Sequence, residues 1–415
     1  MPLYRRTLAA ACVLAPLFYV YWLRFTNYDR IGGFGGWFPS EDVFNKTLGF
    51  SKILVINLPS RTDRRDSMAL VGAVSNLTFT WIDGVSGDQV TDLAAQFSTE
   101  VRSSGSRGSW RSHMNALHAI VKDNLESALI LEDDIDWDIR LKSQLHTFAS
   151  ASRTWLRESK SDKNLVRLLD FAPLSLQKED DGTANMEYQK DTIQLNPNMG
   201  YNGHAHKSPY GEDWDVLWLG HCGTDFPSDK PQVNPLKITI PGDDTVPAPR
   251  HLKPHPFALL DKLGEIYPPH TRIVHASSGT VCSLAYAVSH QGARKLLQEF
   301  DSHYDTQWDL MLQKWCEGGY VAKDKAQSKL EDSEDGHKHN ANAPVCLTVQ
   351  PPLFSHHYAK GGSSNIQGQG GGYATGTGTP YIRLSVRENL KRLIAGAPEG
   401  EMIDQLPDDG KPIWK

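Results

Sequence analysis

The sequence predicts an α/β fold in which a largely parallel, doubly wound sheet is flanked by helices. Short β-branched runs, typical of buried parallel strands, alternate over residues 53–131 with longer segments of helical character. The chain has 415 residues, of which 39% are hydrophobic and 22% charged, so it can form one large or two ordinary domains.

The N-terminal residues predict a membrane anchor. Residues 8–24 are almost wholly apolar between flanking arginines, and we expect an uncleaved signal-anchor because the bulky aromatic residues at 18–22 disfavour signal-peptidase cleavage. A cleaved signal peptide is the alternative. Residues 1–7 would then be a cytosolic stub and residues 25–50 a stem. This arrangement predicts a single-pass type II protein of the Golgi or endoplasmic reticulum membrane with a lumenal body.

The body is predicted to begin with three strands and two helices. Ile53–Leu58 is a continuous apolar run interrupted only by Asn57 and bounded by Pro59, as expected of a buried strand. The elements follow in the order strand 53–58, helix 61–74, strand 77–82, helix 110–123 and strand 128–131. Because ligands of such sheets bind at the carboxyl ends of the strands, Asn57 and the residues after 131 are expected to share one site.

The second half of the body is predicted to be less regular. Its expected elements are a strand at 216–219, a strand at 283–289, a helix at 291–300, and polar insertions at 178–213 and 323–343. The second insertion is charged and nearly devoid of apolar residues, which predicts disorder. Residues 361–415 are expected to be a glycine-rich flexible segment and tail, with an amphipathic helix at 381–394.

Cysteines and sequons agree with a lumenal, oxidising location. Two Asn-x-Thr triplets begin at Asn45 and Asn76. An even set of cysteines lies outside the anchor: Cys222, Cys282, Cys316 and Cys346. Two disulfides are possible and three pairings are open, of which Cys316 with Cys346 is favoured because that bridge would close the loop around a polar insertion. Four buried free thiols are the alternative.

The apolar run at 128–131 ends abruptly in Glu132, Asp133 and Asp134, with Asp136 following. Crowded carboxylates are unfavourable unless a cation or hydrogen-bond donors compensate them. Carboxylate oxygens suit Mg²⁺ and Mn²⁺, which keep open positions for substrate phosphates, so the motif indicates a nucleotide-dependent enzyme. The alternative is an acidic turn that caps a helix.

Basic and small residues flank the same predicted site. Asn57 lies near the end of the first strand and Arg61 and Arg64 follow it, where guanidinium groups match phosphate geometry and an amide can bind a base or a ribose. A solvated basic turn is the alternative. Ser112 and His113 follow a glycine-containing stretch that could approach a ligand closely, although a helix cap and a core histidine explain them equally.

Charge and missing motifs exclude several classes of function. The formal net charge is −6, and no long basic block stands outside the N-terminus, so a nucleic-acid partner is not expected. The chain has no glycine-lysine phosphate loop, no dinucleotide-binding glycine fingerprint and no G-x-S-x-G elbow.

Together these motifs resemble glycosyltransferase family 25, which includes bacterial lipooligosaccharide and collagen galactosyltransferases. The resemblance rests on Val-Ile-Asn-Leu with Arg-x-Asp-Arg at 55–64, Ser-His at 112–113 and Leu-Ile-Leu-Glu-Asp-Asp at 129–134, with weaker likeness at 215–220, 279–297 and 304–309. It implies a GT-A-like nucleotide-sugar-binding domain over residues 51–360, behind the signal-anchor. Ser109, where many members have cysteine, and the two insertions depart from the family pattern.

The resemblance also implies a UDP-sugar donor, with UDP-galactose favoured, and Mn²⁺ or Mg²⁺ as the cofactor. Asn57, Arg61 and Arg64 would hold the nucleotide, with Ser112 and His113 nearby. Glu132 would meet the ribose or base, with Asp133 beside the metal ligand. Asp134 would bind the metal, and a downstream histidine, His356 or His357, would complete its shell.

The implied chemistry is transfer with inversion to a hydroxyl of a glycan, a glycolipid or a protein. A carboxylate from the C-terminal half would take the acceptor proton, and the candidates are Asp305, slightly preferred, and Asp309. A helix start would explain both aspartates without catalysis. Two other functions stay open: a metal-dependent hydrolase of phosphorylated or nucleotide substrates, and an inactive lumenal sugar-binding or scaffold protein.

Overall fold

The computed structural model describes residues 43–90, 103–160, 191–195, 208–227, 233–252, 262–302, 304–320, 344–358 and 378–412. The predicted stub, the predicted signal-anchor, the stem up to residue 42 and the insertion at 323–343 lie outside these residues, as does most of the insertion at 178–213. In the part of the chain that is described, no helix is long and apolar enough to cross a membrane.

The described residues form an α/β body built on one large sheet. Its strands are β1 (Lys52–Asn57), β2 (Phe79–Asp83), β3 (Ser127–Glu132), β4 (Ile135–Trp137), β5 (Thr192–Gln194), β6 (Val216–Gly220), β7 (Lys237–Ile240), β8 (Arg272–Ala276), β9 (Ala285–Ser289), β10 (Cys346–Gln350) and β11 (Phe354–His356). Its helices are α1 (Thr62–Val74), α2 (Ser104–Lys122), α3 (Leu141–Glu158), α4 (Leu263–Ile266), α5 (His290–Ser302), α6 (Trp308–Cys316) and α7 (Leu390–Ile394).

The sheet is mixed rather than wholly parallel. Its order is β2-β1-β3-β9-β6-β10-β8-β7-β5. Strands β2, β1 and β3 pair in parallel, as the sequence predicts. The prediction of a parallel sheet fails at β9, which runs antiparallel between β3 and β6. Apolar runs of this length indicate burial on both faces and carry no information about strand direction, so the difference could not be read from the residues.

Helices cover both faces of the sheet and bury two large apolar clusters. Alternate residues of β3 face opposite sides: Leu129 and Leu131 pack in one cluster, and Ala128 and Ile130 pack in the other. Helices α1 and α3 contribute to the first cluster, whereas α2, α5 and α6 contribute to the second. The carboxyl end of β3 is thereby held rigidly between two packed layers.

Strand β11 brings a distant part of the chain beside the residues that follow β3. It pairs antiparallel with β4, so that His356 lies opposite Ile135, and its first residue pairs with Gly220. A Cβ atom at Gly220 would lie within 2.9 Å of atoms in both Ala285 and Phe354. Glycine at this position therefore allows β11 to approach β6 and β9.

Both disulfides expected for the even cysteine set are present. Cys316 pairs with Cys346, which confirms the favoured pairing and ties the end of α6 to the start of β10. Cys222 pairs with Cys282. The alternative of four free thiols is therefore wrong for this chain.

The C-terminal segment, which we define as residues 378–412, packs on the body, whereas nearly all of the predicted glycine-rich flexible segment lies outside the described residues. Tyr381, Ile382, Val386 and Leu406 are buried. The predicted helix at 381–394 is reduced to α7, because the preceding backbone pairs with the chain after β4: the Val386 amide donates to the Trp137 carbonyl and the Ile139 amide to the Leu384 carbonyl. This pairing keeps the segment extended, which the amphipathic spacing did not predict.

Candidate active site

The candidate site lies where β1 and β3 end side by side. Ile56 is paired with Glu132, so Asn57 and the residues after Glu132 leave the sheet at the same edge. The turn between β3 and β4 carries Asp133 and Asp134. The first turn of α1 adds Arg64.

These side chains form one continuous network. Asn57 Nδ2 donates to Asp133 Oδ2 at 2.8 Å. Arg64 Nη1 lies 2.7 Å from Asp133 Oδ1 and 2.8 Å from Asp134 Oδ2, so that a single guanidinium group spans both carboxylates. His356 Nε2 lies 3.3 Å from Asp134 Oδ2. The network thus joins residues that are up to 299 positions apart in the chain (57 and 356).

Burial and neighbouring charges have opposite effects on the pKa values of Asp134 and His356. Burial alone would raise the pKa of Asp134, but the charges of His356 and Arg64 hold that pKa well below its usual range. Burial alone would lower the pKa of His356, but the Asp134 carboxylate outweighs it and the pKa is raised. Asp134 and His356 therefore form an ion pair when no ligand separates them.

Glu132 lies in a different environment from the two aspartates. Burial, and then the charge of Asp134, raises the pKa of Glu132 to about 8. Ser283 Oγ donates to Glu132 Oε1 at 3.1 Å, and His113 Nε2 lies 3.9 Å from the same oxygen. At neutral pH the Glu132 carboxyl is thus mainly protonated and can donate a hydrogen bond.

Three buried polar atoms of the network have no hydrogen-bond partner among the described residues. They are Asn57 Oδ1, Asp134 Oδ1 and His356 Nδ1. Buried polar atoms are nearly always paired, and leaving one unpaired costs about 1–3 kcal/mol. Their occurrence in one network at a sheet edge indicates that a ligand completes the site.

Part of this site lies in a segment with known relatives. Residues 50–206 match the family model described as Glycosyltransferase family 25 (LPS biosynthesis protein). Procollagen galactosyltransferase 1-B of Xenopus laevis is 28% identical over 125 residues, which cover 26% of this chain and 20% of that protein. The predicted resemblance to glycosyltransferase family 25 is confirmed. The three strongest motifs all lie inside the matched residues, whereas the weaker likenesses at 215–220, 279–297 and 304–309 lie outside them.

In the structure, Ser112 of the Ser-His motif joins helix α2 to the loop after β2. Ser112 Oγ accepts from the Val85 amide at 2.8 Å and donates to the Gly108 carbonyl at 2.7 Å, so it ties α2 to the loop after β2. A Cβ atom at Gly108 would lie 2.4 Å from the Val85 carbonyl oxygen. The glycine was expected to allow approach of a ligand, but it allows approach of this loop.

His113 lies behind Glu132. Its Nδ1 is 2.8 Å from Tyr286 Oη, and its ring stacks on Trp308 with centroids 4.8 Å apart. Burial lowers the pKa of His113 to about 3, so the ring is neutral at physiological pH. The neutral, stacked imidazole therefore packs beside Glu132, with Nε2 3.9 Å from Oε1 and outside hydrogen-bond distance.

Arg61 and Arg64 differ although the sequence predicted one role for both. The Arg61 guanidinium pairs with Asp63, with Nη2 2.8 Å from Oδ2, while the Arg61 carbonyl accepts from Asn57 Nδ2 at 3.2 Å. Arg61 therefore contacts the network through its backbone carbonyl, whereas Arg64 contacts it through its side chain.

His356, the last residue of β11, and His357, which follows it, also differ. The His356 side chain reaches Asp134, whereas His357 Nδ1 lies 3.0 Å from Thr379 Oγ1 and 3.8 Å from Asp136 Oδ2. Burial lowers the pKa of His357 to about 4. The structure brings His356 to the candidate metal ligand and places the His357 ring beside the C-terminal segment.

Asp305 and Asp309 lie in different surroundings. Asp305 is partly exposed and pairs with Lys314 Nζ at 2.8 Å, and it accepts from Tyr320 Oη at 2.9 Å. Asp309 accepts from the Cys282 amide at 2.8 Å, one residue before the serine that contacts Glu132. Burial raises the pKa of Asp309. The hydrogen bonds thus connect Asp309, and not Asp305, to the site.

Sequence reasoning did not identify Ser283 or Arg387 as site residues. Ser283 lies within the weaker family likeness at 279–289, and its contact depends on Cys282, whose φ of 64° is in the left-handed region. Arg387 lies in the predicted tail and donates to the Ile135 carbonyl at 2.8 Å. No local signal marks an arginine that reaches a site from 250 residues away.

The residues present fit a divalent cation bound together with a substrate. Asp134 Oδ1 has no partner among the described residues, and His356 would be the adjacent nitrogen ligand. Among the described residues no group of three or more histidine, cysteine or acidic side chains has metal-binding geometry. Mg²⁺ and Mn²⁺ sites often use one or two protein ligands and complete their shells with water and phosphate oxygens. Protein cations also balance the crowded carboxylates, so charge alone does not require a metal.

Proposed function

We propose that the protein is a metal-dependent, inverting glycosyltransferase. It would move a sugar from a UDP-sugar to an acceptor hydroxyl, and galactose is the favoured sugar. The observation that carries the proposal is the network of Asn57, Arg64, Asp134 and His356 with its unpaired buried atoms. Part of this network lies in a segment with family 25 similarity, and a named relative is a galactosyltransferase.

The nucleotide would bind across the ends of β1 and β3. Asn57 Oδ1 is a free acceptor for a base N–H or a ribose hydroxyl, and its amide nitrogen is already held by Asp133. Protonated Glu132 would donate to a ribose or base oxygen. Arg64, and Arg61 after release from exposed Asp63, would bind the diphosphate, because guanidinium groups pair bidentately with phosphate oxygens.

Asp134 and His356 would hold Mn²⁺ or Mg²⁺ together with the diphosphate. When bound, the ion would neutralise charge that develops on the leaving UDP. Arg64 already pairs with Asp134, so a metal alone must compete with this ion pair, whereas a diphosphate offers Arg64 another partner. We therefore expect Mn²⁺ to bind more tightly when UDP is present.

We propose Asp309 as the base that takes the acceptor proton. The acceptor oxygen would bond to the anomeric carbon while the bond from that carbon to the UDP oxygen breaks, and the hydroxyl proton would move to the Asp309 carboxylate. A raised pKa suits a general base. Asp305 is held by Lys314 and Tyr320, so it is the weaker candidate.

The proposal extends to the location of the protein. A signal-anchor at residues 8–24 would place the body in the lumen of the Golgi or the endoplasmic reticulum, where both disulfides are stable. Glycans, glycolipids and proteins are the acceptor classes to test.

The test is UDP release by the purified full-length chain from a panel of UDP-sugars, with Mn²⁺ or with a chelator. Acceptors of the three classes are added separately. We expect release that favours one donor, requires metal and increases with one acceptor class. The Asp309→Asn variant should reduce the rate by about 100-fold or more, whereas Asp305→Asn should not.

Release that is independent of every acceptor would instead indicate a hydrolase. A folded protein that binds UDP and Mn²⁺ without turnover of any donor would indicate a sugar-binding or scaffold protein. Calorimetric titration of Mn²⁺ with and without UDP provides a readout that does not depend on activity.

A further inference from the structure

The C-terminal segment reaches the candidate site through Arg387. Arg387 Nε donates to the Ile135 carbonyl at 2.8 Å, and Nη1 donates to Ser67 Oγ at 2.5 Å. Nη2 lies 3.4 Å from the Asp133 carbonyl oxygen. One guanidinium group therefore bridges the turn after β3 and helix α1, the two elements that present Asp133, Asp134 and Arg64.

Arg387 also adds positive charge to the site without occupying Asp134 Oδ1. Its guanidinium interacts electrostatically with Asp136, Asp134 and Asp133. Arg64 contacts the two site aspartates directly through their carboxylates. Arg387 instead binds backbone carbonyls beside them, and Asp134 Oδ1 keeps no hydrogen-bond partner in the described part of the chain.

The same segment holds the strand that carries His356. Thr379 Oγ1 donates to Asp136 Oδ2 at 2.7 Å and lies 3.0 Å from His357 Nδ1. The Arg387 amide also donates to Asp136 Oδ1 at 3.3 Å. Both partners of the Asp134–His356 pair are thus attached to one segment that lies outside the family match.

We propose that Arg387 is a positioning residue, which fixes the turn after β3 against α1 so that Asp134 and His356 meet the nucleotide-sugar at the correct spacing. The inference rests on the proposed transferase function and extends it to a segment outside residues 50–206, which match the family model. A planar guanidinium is needed because its donors point in fixed directions to Ile135 and Ser67 at once.

Arg383 supplies a matched control in the same segment. Its Nη2 pairs with Asp404 Oδ2 at 2.6 Å, and its Nη1 donates to the Asp244 carbonyl at 3.1 Å. Asp404 lies in the same segment and Asp244 in the loop after β7, and neither belongs to the network. A substitution of Arg383 therefore measures how a weakened attachment of the segment affects kcat when the network itself is unchanged.

The experiment compares Arg387→Met, Arg387→Lys and Arg383→Met in the full-length chain. We expect Arg387→Met to lower kcat by about 100-fold, with a smaller change in KM for the donor, because displacement of catalytic groups by about 1 Å has effects of this size. Arg387→Lys keeps the positive charge but loses the planar group with several donors, so its kcat should lie between those of Arg387→Met and the wild type. Arg383→Met should keep kcat within about two-fold, because the partners of Arg383 lie outside the network.

Hydrogen exchange separates failure of this inference from failure of the proposed function. Amides of residues 132–137 should exchange faster in Arg387→Met than in the wild type and stay unchanged in Arg383→Met. Equal kcat and equal exchange in Arg387→Met and Arg383→Met would overturn the positioning role. A wild type that turns over no donor would overturn the proposed function, while the exchange measurement would still decide the role of Arg387.

Discussion

Two sets of carboxylates in the same acidic run have opposite surroundings. The first set, Glu132 to Asp134, retains an unpaired oxygen on Asp134 and is balanced by charged side chains. The second set, Asp136 and Asp138, is fully buried and saturated with donors. The difference teaches that residue type does not decide whether an acidic motif binds a ligand. What decides is whether the protein itself supplies every hydrogen bond.

The saturated set attaches the C-terminal segment. Asp136 accepts from the Trp137 amide, from the hydroxyls of Thr379 and Ser385, and from the Arg387 amide. Asp138 accepts from Arg140 Nε at 2.8 Å and from the Leu384 amide at 3.0 Å. These bonds leave no oxygen free for a metal, and we assign both residues a structural role.

The largest expected effect is on stability, at Asp136. Asp136→Ala removes the acceptor of several buried donors, so the free energy of unfolding should fall by about 3–5 kcal/mol. Urea denaturation measures this change. Limited proteolysis should show that residues 378–412 become accessible first, and a loss below about 1 kcal/mol would contradict the structural role.

The next effect is on activity, at Asp134. Asp134→Asn keeps the shape of the side chain but removes the charge that pairs with Arg64 and His356, so the free energy of unfolding should fall by about 1–3 kcal/mol, less than in Asp136→Ala. UDP release should fall by about 100-fold or more, because an electrostatic contact with the transition state is lost. Steady-state kinetics and thermal unfolding of the same preparation check both statements. A large loss of stability would mean that the two sets do not differ as proposed.

His356 and His357 should differ in the same way. His356→Gln should weaken Mn²⁺ binding in the presence of UDP by at least about ten-fold, since the changed side chain is the proposed ligand itself. His357→Gln should leave this affinity within about two-fold and cost about 1 kcal/mol of stability through the lost contact with Thr379. Calorimetry of both variants provides the comparison, and equal effects would place both rings at the metal.

The smallest effect is expected at Asp305. Its ion pair with Lys314 is solvent-exposed on both sides, and such pairs contribute about 0–1 kcal/mol. Asp305→Asn should therefore leave the free energy of unfolding within about 0.5 kcal/mol of the wild type and keep UDP release unchanged. Loss of turnover in this variant would indicate that Asp305, and not Asp309, is the general base.

Much of the fold and site could be predicted from local patterns. Asn57, Arg64 and the acidic turn lie at neighbouring strand ends, and the parallel pairing of β1 with β3 follows from the alternation of strands and helices. The antiparallel insertion of β9 and the docking of the C-terminal segment could not be predicted. Both depend on pairings between residues far apart in sequence, for which the local chain carries no period or spacing.

The sequence by itself determined the residue types and their order along the chain: an apolar strand that ends in carboxylates, arginines in the first turn of a helix, and four cysteines suited to two bridges. Only the tertiary structure decided which carboxylates stay open, which histidine faces Asp134, and that Arg387 joins the site. The physical reason is that a role at a binding site depends on burial and on unsatisfied hydrogen-bonding groups. Those properties arise only when distant segments pack together.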